Sequence, residues 1–381
     1  MSHVFPANWD VLPFSLAVKD ATSEYSKLQK SEYLVQGRFP IVDQGQQKFG
    51  GYTDDESVVS LDVGAAIVFG DHTRIFKFID EPFCLGADGA KVLEPKVELD
   101  KKFLFYYLSS LSIESAGYSR HFKFLKENVV PVPPLSEQKR IAAILDKADD
   151  IRRKRQQAIQ LADDFLRAVF LDMFGDPRDS LTIEDMLSQK YLLLHKDGNH
   201  GSNYPAKEEF GDDGVVFISA KDISDQDGSV DYASVAHLNE SKAKKITIGW
   251  LEKGDVLLAH NATVGRVGLF DGEVGEALIG TSLTAFRPNQ EKLSSVYLFA
   301  ALKYSGFQAQ LKQNMGQSTR NQVPIAAQKS LKIPVVNLKR QRQFEQVFVK
   351  LKRAKSNLYA GLKESDEMFS SLSQKAFAGQ L

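Results

Sequence analysis

The strongest constraint on this chain is that it states one segment twice, 203 residues apart: a proline-valine step, a start signal and a long helical run. Pro131, Val132, Leu135, Gln138 and Lys139 recur as Pro334, Val335, Leu338, Gln341 and Arg342, and the register continues without a gap. The apolar positions Ile141, Ile144, Leu145, Ala148, Ile151, Ile159, Leu166 and Val169 correspond to Phe344, Val347, Phe348, Leu351, Ala354, Leu362, Phe369 and Leu372. Two equivalent long helices with a globular segment before each make a pseudo-symmetric dimer in one polypeptide. Such an object binds two related things.

Pro131, Pro133 and Pro134 end the first globular segment, because successive prolines hold the backbone extended and cannot join a ladder. Ser136 offers an N-cap with Glu137 in the first turn, and no Gly or Pro follows until Gly175-Asp176-Pro177 supplies the stop. Roughly 38 helical residues at about 1.5 Å each give a rod near 57 Å, too long for one small core. The apolar stripe is narrow and steps three or four residues at a time, as in a coiled-coil seam. It therefore needs a partner helix, and the second copy has the same length and stripe. The expected pairing uses Ile141, Ile144, Leu145, Ala148, Ile159 and Leu166 on the first helix and Phe344, Val347, Phe348, Leu351, Leu362 and Phe369 on the second. An antiparallel pair would put the two globular domains at opposite ends of the rod.

A length of 381 residues implies two to three domains, and the expected division is 1–134, 135–177, 178–337 and 338–381. With 43% hydrophobic and 25% charged residues, neither a disordered nor a fibrous chain is indicated. Cys84 is the only cysteine, which excludes internal disulfides and an all-cysteine metal site and fits a reducing compartment, the cytoplasm by default. The opening Met1-Ser2-His3-Val4-Phe5-Pro6 lacks a basic start and an apolar core, and no apolar run is long enough to span a membrane. Charge is unevenly spread. Residues 338–381 carry nine Lys or Arg against four Asp or Glu, and 135–174 carry eight against seven, so a net charge of −1 leaves the globular parts near −7. Any DNA-binding face must be a segregated patch.

Both globular segments mix short strands with Gly-rich loops, as in Phe39-Pro40-Ile41-Val42, Ala65-Ala66-Ile67-Val68-Phe69 and Ile75-Phe76-Lys77-Phe78-Ile79. The second repeats the first loosely: 67–72 resembles 256–260, each an apolar strand ending in a polar turn with a histidine, His72 or His260. Likewise 86–95 parallels 280–288, the helix-like 103–108 parallels 297–302, and Gly117-Tyr118-Ser119-Arg120 parallels 316–320. The expected class is α+β: two pseudo-symmetric mixed α/β domains separated by two long antiparallel coiled-coil helices. One scaffold with divergent loops is what a pair of recognition modules requires.

A catalytic constellation is not found. There is no Walker-type phosphate loop and no Asn/Asp-Pro-Pro-aromatic tetrad. His195 and His200 lie in what reads as a Gly/Asn loop, without a third ligand for a metal. Asp88, Glu94 and Lys96 match a loose nuclease pattern that arises by chance, with Pro95 poorly placed for paired metal ligands. Val264-Gly265-Arg266-Val267-Gly268 is too short for a dinucleotide fingerprint and reads as a hairpin turn. No metal site and no cofactor is expected on this chain.

The loops instead hold residue types that contact base edges and phosphates. In the first domain these are Gln44, Gln46, Gln47, Lys48 and Tyr52; His72, Thr73 and Arg74; and Ser119, Arg120 and Lys123. In the second they are Lys221; His260, Asn261, Thr263 and Arg266; and Ser318, Thr319, Arg320 and Asn321. Arg pairs bidentately with guanine and Asn or Gln with adenine, while Lys, Ser and Thr serve phosphates. For His72 and His260, packing at a strand end is the competing reading. The run Arg152-Arg153-Lys154-Arg155 reads either as a solvated face balanced by Asp146, Asp149 and Asp150, or as a contact with spacer DNA or a partner subunit.

The segment Val132-Pro133-Pro134-Leu135-Ser136-Glu137-Gln138-Lys139-Arg140-Ile141-Ala142-Ala143-Ile144-Leu145-Asp146 closely resembles the start of the central spacer helix in specificity subunits of type I restriction-modification systems. Phe174-Gly175-Asp176-Pro177 and Ala376-Phe377-Ala378-Gly379-Gln380-Leu381 resemble that family's two helix endings, and 33–45 and 69–74 resemble one of its target-recognition domain types. The second helix start, Val335-Val336-Asn337-Leu338-Lys339-Arg340-Gln341, departs from the Pro-Pro-Leu-x-Glu-Gln pattern. The resemblance implies a non-catalytic subunit in which each domain reads one half of a bipartite site on double-stranded DNA and paired helices fix the gap. It further implies two modification subunits carrying S-adenosylmethionine, and restriction subunits using ATP and Mg2+. Competing readings are a stand-alone DNA-binding regulator, a coiled-coil scaffold that binds no DNA, and, against the missing motifs, a fused methyltransferase or nuclease.

Overall fold

The computed structural model describes residues 5–61, 64–114, 117, 119–175, 179–200, 204–315 and 321–381. Both long helices form, at Leu135–Phe174 and Leu338–Phe377. The chain divides into two compact units, Met1–Ala158 with Leu358–Leu381, and Ile159–Asn357. The divisions fall inside the helices, so each unit is a globular domain with half of each helix packed on it.

In the first unit, strands Val18–Asp20, Ala90–Pro95, Ala66–Gly70 and Phe76–Ile79 lie in that order as an antiparallel sheet. A second sheet runs Lys27–Leu28, Cys84–Gly86, Phe39–Val42, Gly51–Thr53, and the pairing of Phe39–Val42 with Cys84–Gly86 is parallel. Every residue of Ala66–Gly70 is buried, which is why that strand reads as an unbroken apolar run. Asp10–Pro13 and Val129–Val132 close the domain as an antiparallel ribbon.

The second unit repeats this plan. Its first sheet runs Leu192–Asp197, Leu283–Pro288, Val256–Ala259, Val267–Leu269, and its second Phe210–Gly211, Ala236–Leu238, Val215–Ile218, Ala277–Ile279. Ser180–Thr182 and Lys332–Pro334 form the matching ribbon. His195 lies in strand Leu192–Asp197, not in a loop, and Glu94 and Pro95 lie in strand Ala90–Pro95.

The duplicated start signal has a structural role in both units. Gln138 is 1% exposed; its Nε2 donates to the carbonyls of Glu98 (3.0 Å) and Pro133 (2.7 Å), and its Oε1 accepts from the amide of Asp100 (2.7 Å). Gln341 does the same with Lys292 (3.3 Å), Val336 (2.8 Å) and the amide of Ser294 (2.8 Å). Asp100 and Ser294 are themselves the N-caps of helices Lys101–Ser110 and Ser295–Lys303. One buried amide thus ties each long helix to the helix lying on its sheet. The far helix ends match as well: Phe377 packs its ring 5.8 Å from Phe103, and Phe174 packs 4.9 Å from Tyr297.

Helix pairing is antiparallel within each unit. In the first, Arg152 Nε donates to Asp366 Oδ1 at 2.7 Å, Arg155 reaches the carbonyl of Gly361, and Arg140 reaches that of Leu381 at 2.6 Å. In the second, Lys355 pairs with Asp163, and Phe344 lies 5.5 Å from Phe170 and 5.7 Å from Phe174. Ile141, Leu145, Ala148, Ile159, Phe344 and Phe348 are buried, and Ile144, Leu166, Val347, Leu351, Leu362 and Phe369 are half-buried. Ile151 and Ala354, which the repeat places on the apolar stripe, are exposed. Ile141, Leu145, Phe344 and Phe348 also belong to the domain cores, so the seam is shared between helix and sheet domain.

Three local expectations change. Ser136 is not the first cap: the helix begins at Leu135, and the carbonyl of Pro134 accepts from Glu137 (2.8 Å) and Gln138 (3.1 Å). The second helix, where the proline pattern is missing, is capped by Asn337, whose Oδ1 accepts from the amide of Lys339 at 2.8 Å. The run 152–155 is neither a purely solvated face nor a free docking site. Arg152 and Arg153 bind Asp149 and Asp150 one turn back, and Arg152 and Arg155 cross to the second helix; Lys154 is exposed.

Candidate nucleic-acid interface

In each unit the loops that follow the buried strands meet at one end of the sheets. In the first unit these are 43–48, after Phe39–Val42; 70–74, after Ala66–Gly70; 86–89; and 119–123. Gln44 links two of them. Its carbonyl accepts from Thr73 Oγ1 at 2.6 Å and its Oε1 from the amide of His72 at 3.3 Å. Gly89, at φ +68°, lies where any Cβ would enter the Gln44 carboxamide, so glycine is required for the close approach. Lys77, almost fully buried, rises from Phe76–Ile79 and donates to the carbonyl of Asp43 at 2.7 Å; burial pushes its ammonium below the ordinary lysine value, against the opposing pull of Asp43.

Asp71 holds the third loop. It is 3% exposed; its amide donates to Gly89 (2.7 Å), its carbonyl accepts from the amide (2.9 Å) and Nδ1 (3.0 Å) of His121, and its Oδ1 accepts from the amide of Phe122 (2.7 Å). Arg74, at φ +63°, sends Nη1 to the carbonyl of Ile113 at 2.9 Å. Gln46, Gln47, Arg120 and Lys123 are exposed, Lys123 with its ammonium 4.7 Å from the Phe124 ring centre. Tyr52 is half-buried in the second sheet, and Lys48 turns to Asp80 (3.7 Å) and Glu81 (3.0 Å). Ser119 Oγ is buried without a hydrogen-bond partner among the described residues.

The second unit gathers 197–200, 219–221, 259–266, 280–282 and 321–323. Here the strand-end residue is His260, not the counterpart of His72. Its amide donates to Ser282 (3.0 Å) and its carbonyl accepts from Val323 (2.9 Å), the two backbone bonds that Asp71 makes to Gly89 and His121. His260 is 6% exposed, which favours packing at the strand end, one of the two readings open for it from the sequence. Its Nδ1 lies 2.9 Å from Thr284 Oγ1, which accepts from Gln328 Nε2 at 3.0 Å; Gln328 Oε1 in turn lies 3.1 Å from His195 Nε2. Burial pushes His260 below the ordinary histidine value. It does the same to His195, with Lys329 and His260 adding to the effect and the Gln328 hydrogen bond and Asp197 opposing it. Both rings are kept neutral.

Asn261, Thr263, Lys221 and Asn321 are exposed around this network, and the carbonyl of Asn321 accepts from the amide of Ala262, which sits at φ +61°. Arg266 is half-buried and engaged, with Nε 3.0 Å from Asp225 Oδ1, so it braces the hairpin more than it offers a free cation. Ser318, Thr319 and Arg320 lie outside the described residues. His200 pairs with Asp197 at 2.8 Å, and among the described residues no group of His, Cys, Asp or Glu could hold a metal. Burial pushes the Cys84 thiol up to about 11, leaving it unreactive.

Among the described residues Arg74, Lys190 and Ala262 are the non-glycine residues with positive φ, and two of the three stand in these loops. Such backbone is held at a cost of about 1 kcal/mol or more and gathers at binding sites. Sequence reasoning missed Asp71, Lys77, Thr284 and Gln328. Only the position of Asp71 directly after an apolar strand could have pointed to one of them. Asn199, whose Nδ2 is buried without a partner among the described residues, was also missed.

Comparison with known proteins agrees with this arrangement. A family model described as the type I restriction modification DNA specificity domain matches residues 21–161 and again 199–365. The type I restriction enzyme EcoBI specificity subunit of Escherichia coli is 21% identical over 336 residues, covering 79% of this chain and 70% of its own. The MjaVIII specificity subunit of Methanocaldococcus jannaschii is 21% identical over 375 residues, covering 88% of this chain and 84% of its own. Among solved structures, the S subunit of a type I restriction-modification system from M. genitalium superposes with a TM-score of 0.57 at 18% identity, over 97% of this chain and 96% of that one. Among the described residues no helix is long and apolar enough to cross a membrane.

Proposed function

Because this chain belongs to the type I restriction-modification DNA specificity family, whose members are non-catalytic specificity subunits, we propose that each of its two domains reads one half of a bipartite, gapped DNA site. The two long helices set the gap and dock two modification subunits. S-adenosylmethionine belongs to those subunits, ATP and Mg2+ to restriction subunits, and the whole complex works on DNA in the cytoplasm. The observation that carries this reading is the twofold occurrence of one loop cluster on one scaffold with different side chains in each copy, Gln44, Arg74 and Arg120 in the first and Lys221, Asn261 and Asn321 in the second. Arg and the carboxamides are the groups that discriminate base edges in the major groove. Because the target adenine amino group is stacked in a duplex, the methyltransferase partner must extrude it.

The test is long-read mapping of N6-methyladenine in the source cell and in a strain lacking this gene. A gapped, two-part motif present in the first and lost in the second is expected. Matching methylomes would instead leave a stand-alone regulator or scaffold. The ruler role has its own test: removing one heptad from both helices shortens the rod by about 10 Å, or roughly three base pairs. The recognised gap should shorten while both half-sites stay unchanged; an unchanged gap defeats the ruler.

A further inference from the structure

We propose that the residue following the central buried strand in each unit, Asp71 in the first and His260 with Thr284 and Gln328 in the second, is a positioning residue that sets the half-site its domain reads without touching DNA. This rests on the reading that the two loop clusters recognise DNA. Asp71 joins three segments at one point: its amide holds 86–89, its carbonyl and carboxylate hold 121–122, and its own loop carries His72, Thr73 and Arg74. A carboxylate oxygen that accepts a backbone amide while buried makes a strong, directional bond, so the position of 119–123 follows the position of Asp71. Arg120 and Lys123 ride on that segment.

His260 occupies the same backbone position with the same two backbone bonds, but its side chain has a different partner, Thr284 Oγ1 in place of a backbone amide. It enters a buried chain, His260 to Thr284 to Gln328 to His195, and Gln328 Nε2 also donates to the carbonyl of Val323 at 2.9 Å. Val323 is in turn held by the His260 carbonyl and follows Asn321 closely, so the chain fixes the exposed Asn261 and Asn321 on either side of the strand end. The side chains exposed on the loops differ between the units, and so do the side chains beneath them. Base readout needs groups placed to within a fraction of an ångström, so a change beneath the loop alters which base is preferred, not merely how tightly DNA is held.

The experiment complements the deletion strain with the full chain carrying Asp71→Ala, Asp71→Asn or Thr284→Val and maps the methylome each writes. Asp71→Ala should relax or change letters in one half of the motif, with roughly a tenfold lower ratio of cognate to single-mismatch methylation there, and leave the other half intact. Asp71→Asn keeps an oxygen for the Phe122 amide and should restore the original letters. Thr284→Val, which keeps the side-chain shape and removes only the hydroxyl, should relax the other half and spare the first. A merely structural role lowers cognate and mismatched methylation together and leaves their ratio unmoved. Unchanged letters with Thr284→Val and with Asp71→Ala, or equal relaxation of both halves by either, overturns the proposal. Absence of any two-part motif with the unmodified chain overturns the DNA-reading premise itself, which separates the two failures.

Discussion

The first unit braces its loops with charged groups, the second with neutral ones. Asp71 and Lys77 support 119–123 and 43–48 in the first, whereas His260, Thr284, Gln328 and His195 form an uncharged chain in the second. The position matching Lys77 is Gly268, and the space there is taken by Ile223, whose atoms would lie 3.2–3.4 Å from an added Cβ. The edges of the second sheets differ too. Lys27–Leu28 extends its sheet beside Cys84–Gly86, whereas Phe210–Gly211 extends the equivalent sheet on the opposite side, beside Ala236–Leu238. An edge strand satisfies only one neighbour, so it can migrate without orphaning interior hydrogen bonds. What the two units keep in common is the central strands and the glutamine tie to the long helices. What they vary is everything that borders the loops.

The largest test of that equivalence is at the helix seam. Phe344→Ala removes a fully buried ring packed on Phe170 and Phe174 and should destabilise the second unit by about 4 kcal/mol, while Ile141→Ala at the matched position should destabilise the first by about 3 kcal/mol. Trp9 and Trp250, one in each unit, let the two be followed separately: with Trp250→Phe, denaturant-induced fluorescence change reports the first unit, and with Trp9→Phe the second. If Phe344→Ala moves both transitions equally, the units do not unfold independently.

The next effect sharpens the comparison at the start signal. Gln138→Ala leaves the amide of Asp100 and two carbonyls without their partner, and Gln341→Ala does the same at Ser294. At about 1 kcal/mol or more for each buried group left unmet, each should cost about 3 kcal/mol in its own unit. Clearly unequal losses would show that the two ties are not equivalent despite their shared geometry.

These residues also show what was legible in sequence. The gapless repeat revealed Gln138 and Gln341 because a buried, three-bonded side chain tolerates no substitute, and it revealed both long helices because their apolar spacing is local. The strand 66–70 was legible for the same reason, since every residue in it is buried. The clasps were not. Asp71 and His260 do the same backbone job with unrelated side chains, so aligning histidine with histidine misplaced His260 against His72. Thr284 meets His260 from 24 residues away and Gln328 meets Thr284 from 44, and no short-range pattern predicts such a meeting. Ile151 and Ala354 fit the repeat yet are exposed, because the repeat records spacing along one helix while burial depends on what packs against that turn.

A smaller effect separates the units by pH. His195 and His260 are neutral in both folded and unfolded chains well above the ordinary histidine value of 6.5, where they contribute no pH dependence. As pH falls below 6.5 the unfolded chain takes up protons that the buried rings resist, because their folded values are depressed, so the second unit loses stability progressively until the folded values are passed. Asp197, His200 and Lys329 are the charged or titratable neighbours acting on these rings. In the first unit Asp146 is held below its ordinary value of 3.8: burial works against this, and hydrogen bonds from Lys102 and Tyr106 overcome it. Its contribution is therefore present at neutral pH and lost only under much more acidic conditions. Between pH 6.5 and 5 the Trp250 reporter should shift to lower denaturant concentration by more than the Trp9 reporter. The difference should shrink in His260→Gln and disappear when His195→Gln is added, and parallel shifts of both reporters would rule the histidine chain out as its source.

The smallest effect tests where the seam ends. Ile151 is 41% exposed, so Ile151→Ser removes little buried apolar surface and should change the stability of the first unit by no more than about 0.5 kcal/mol. Ala354→Ser, at the matched position in the second unit, should be equally silent. A loss of more than about 2 kcal/mol at Ile151 in the assembled complex, but not in the isolated chain, would instead place this exposed isoleucine under a partner subunit. The two positions would then part company: an alanine leaves little for a partner to grip, and the same face of the two helices would carry unequal docking contacts.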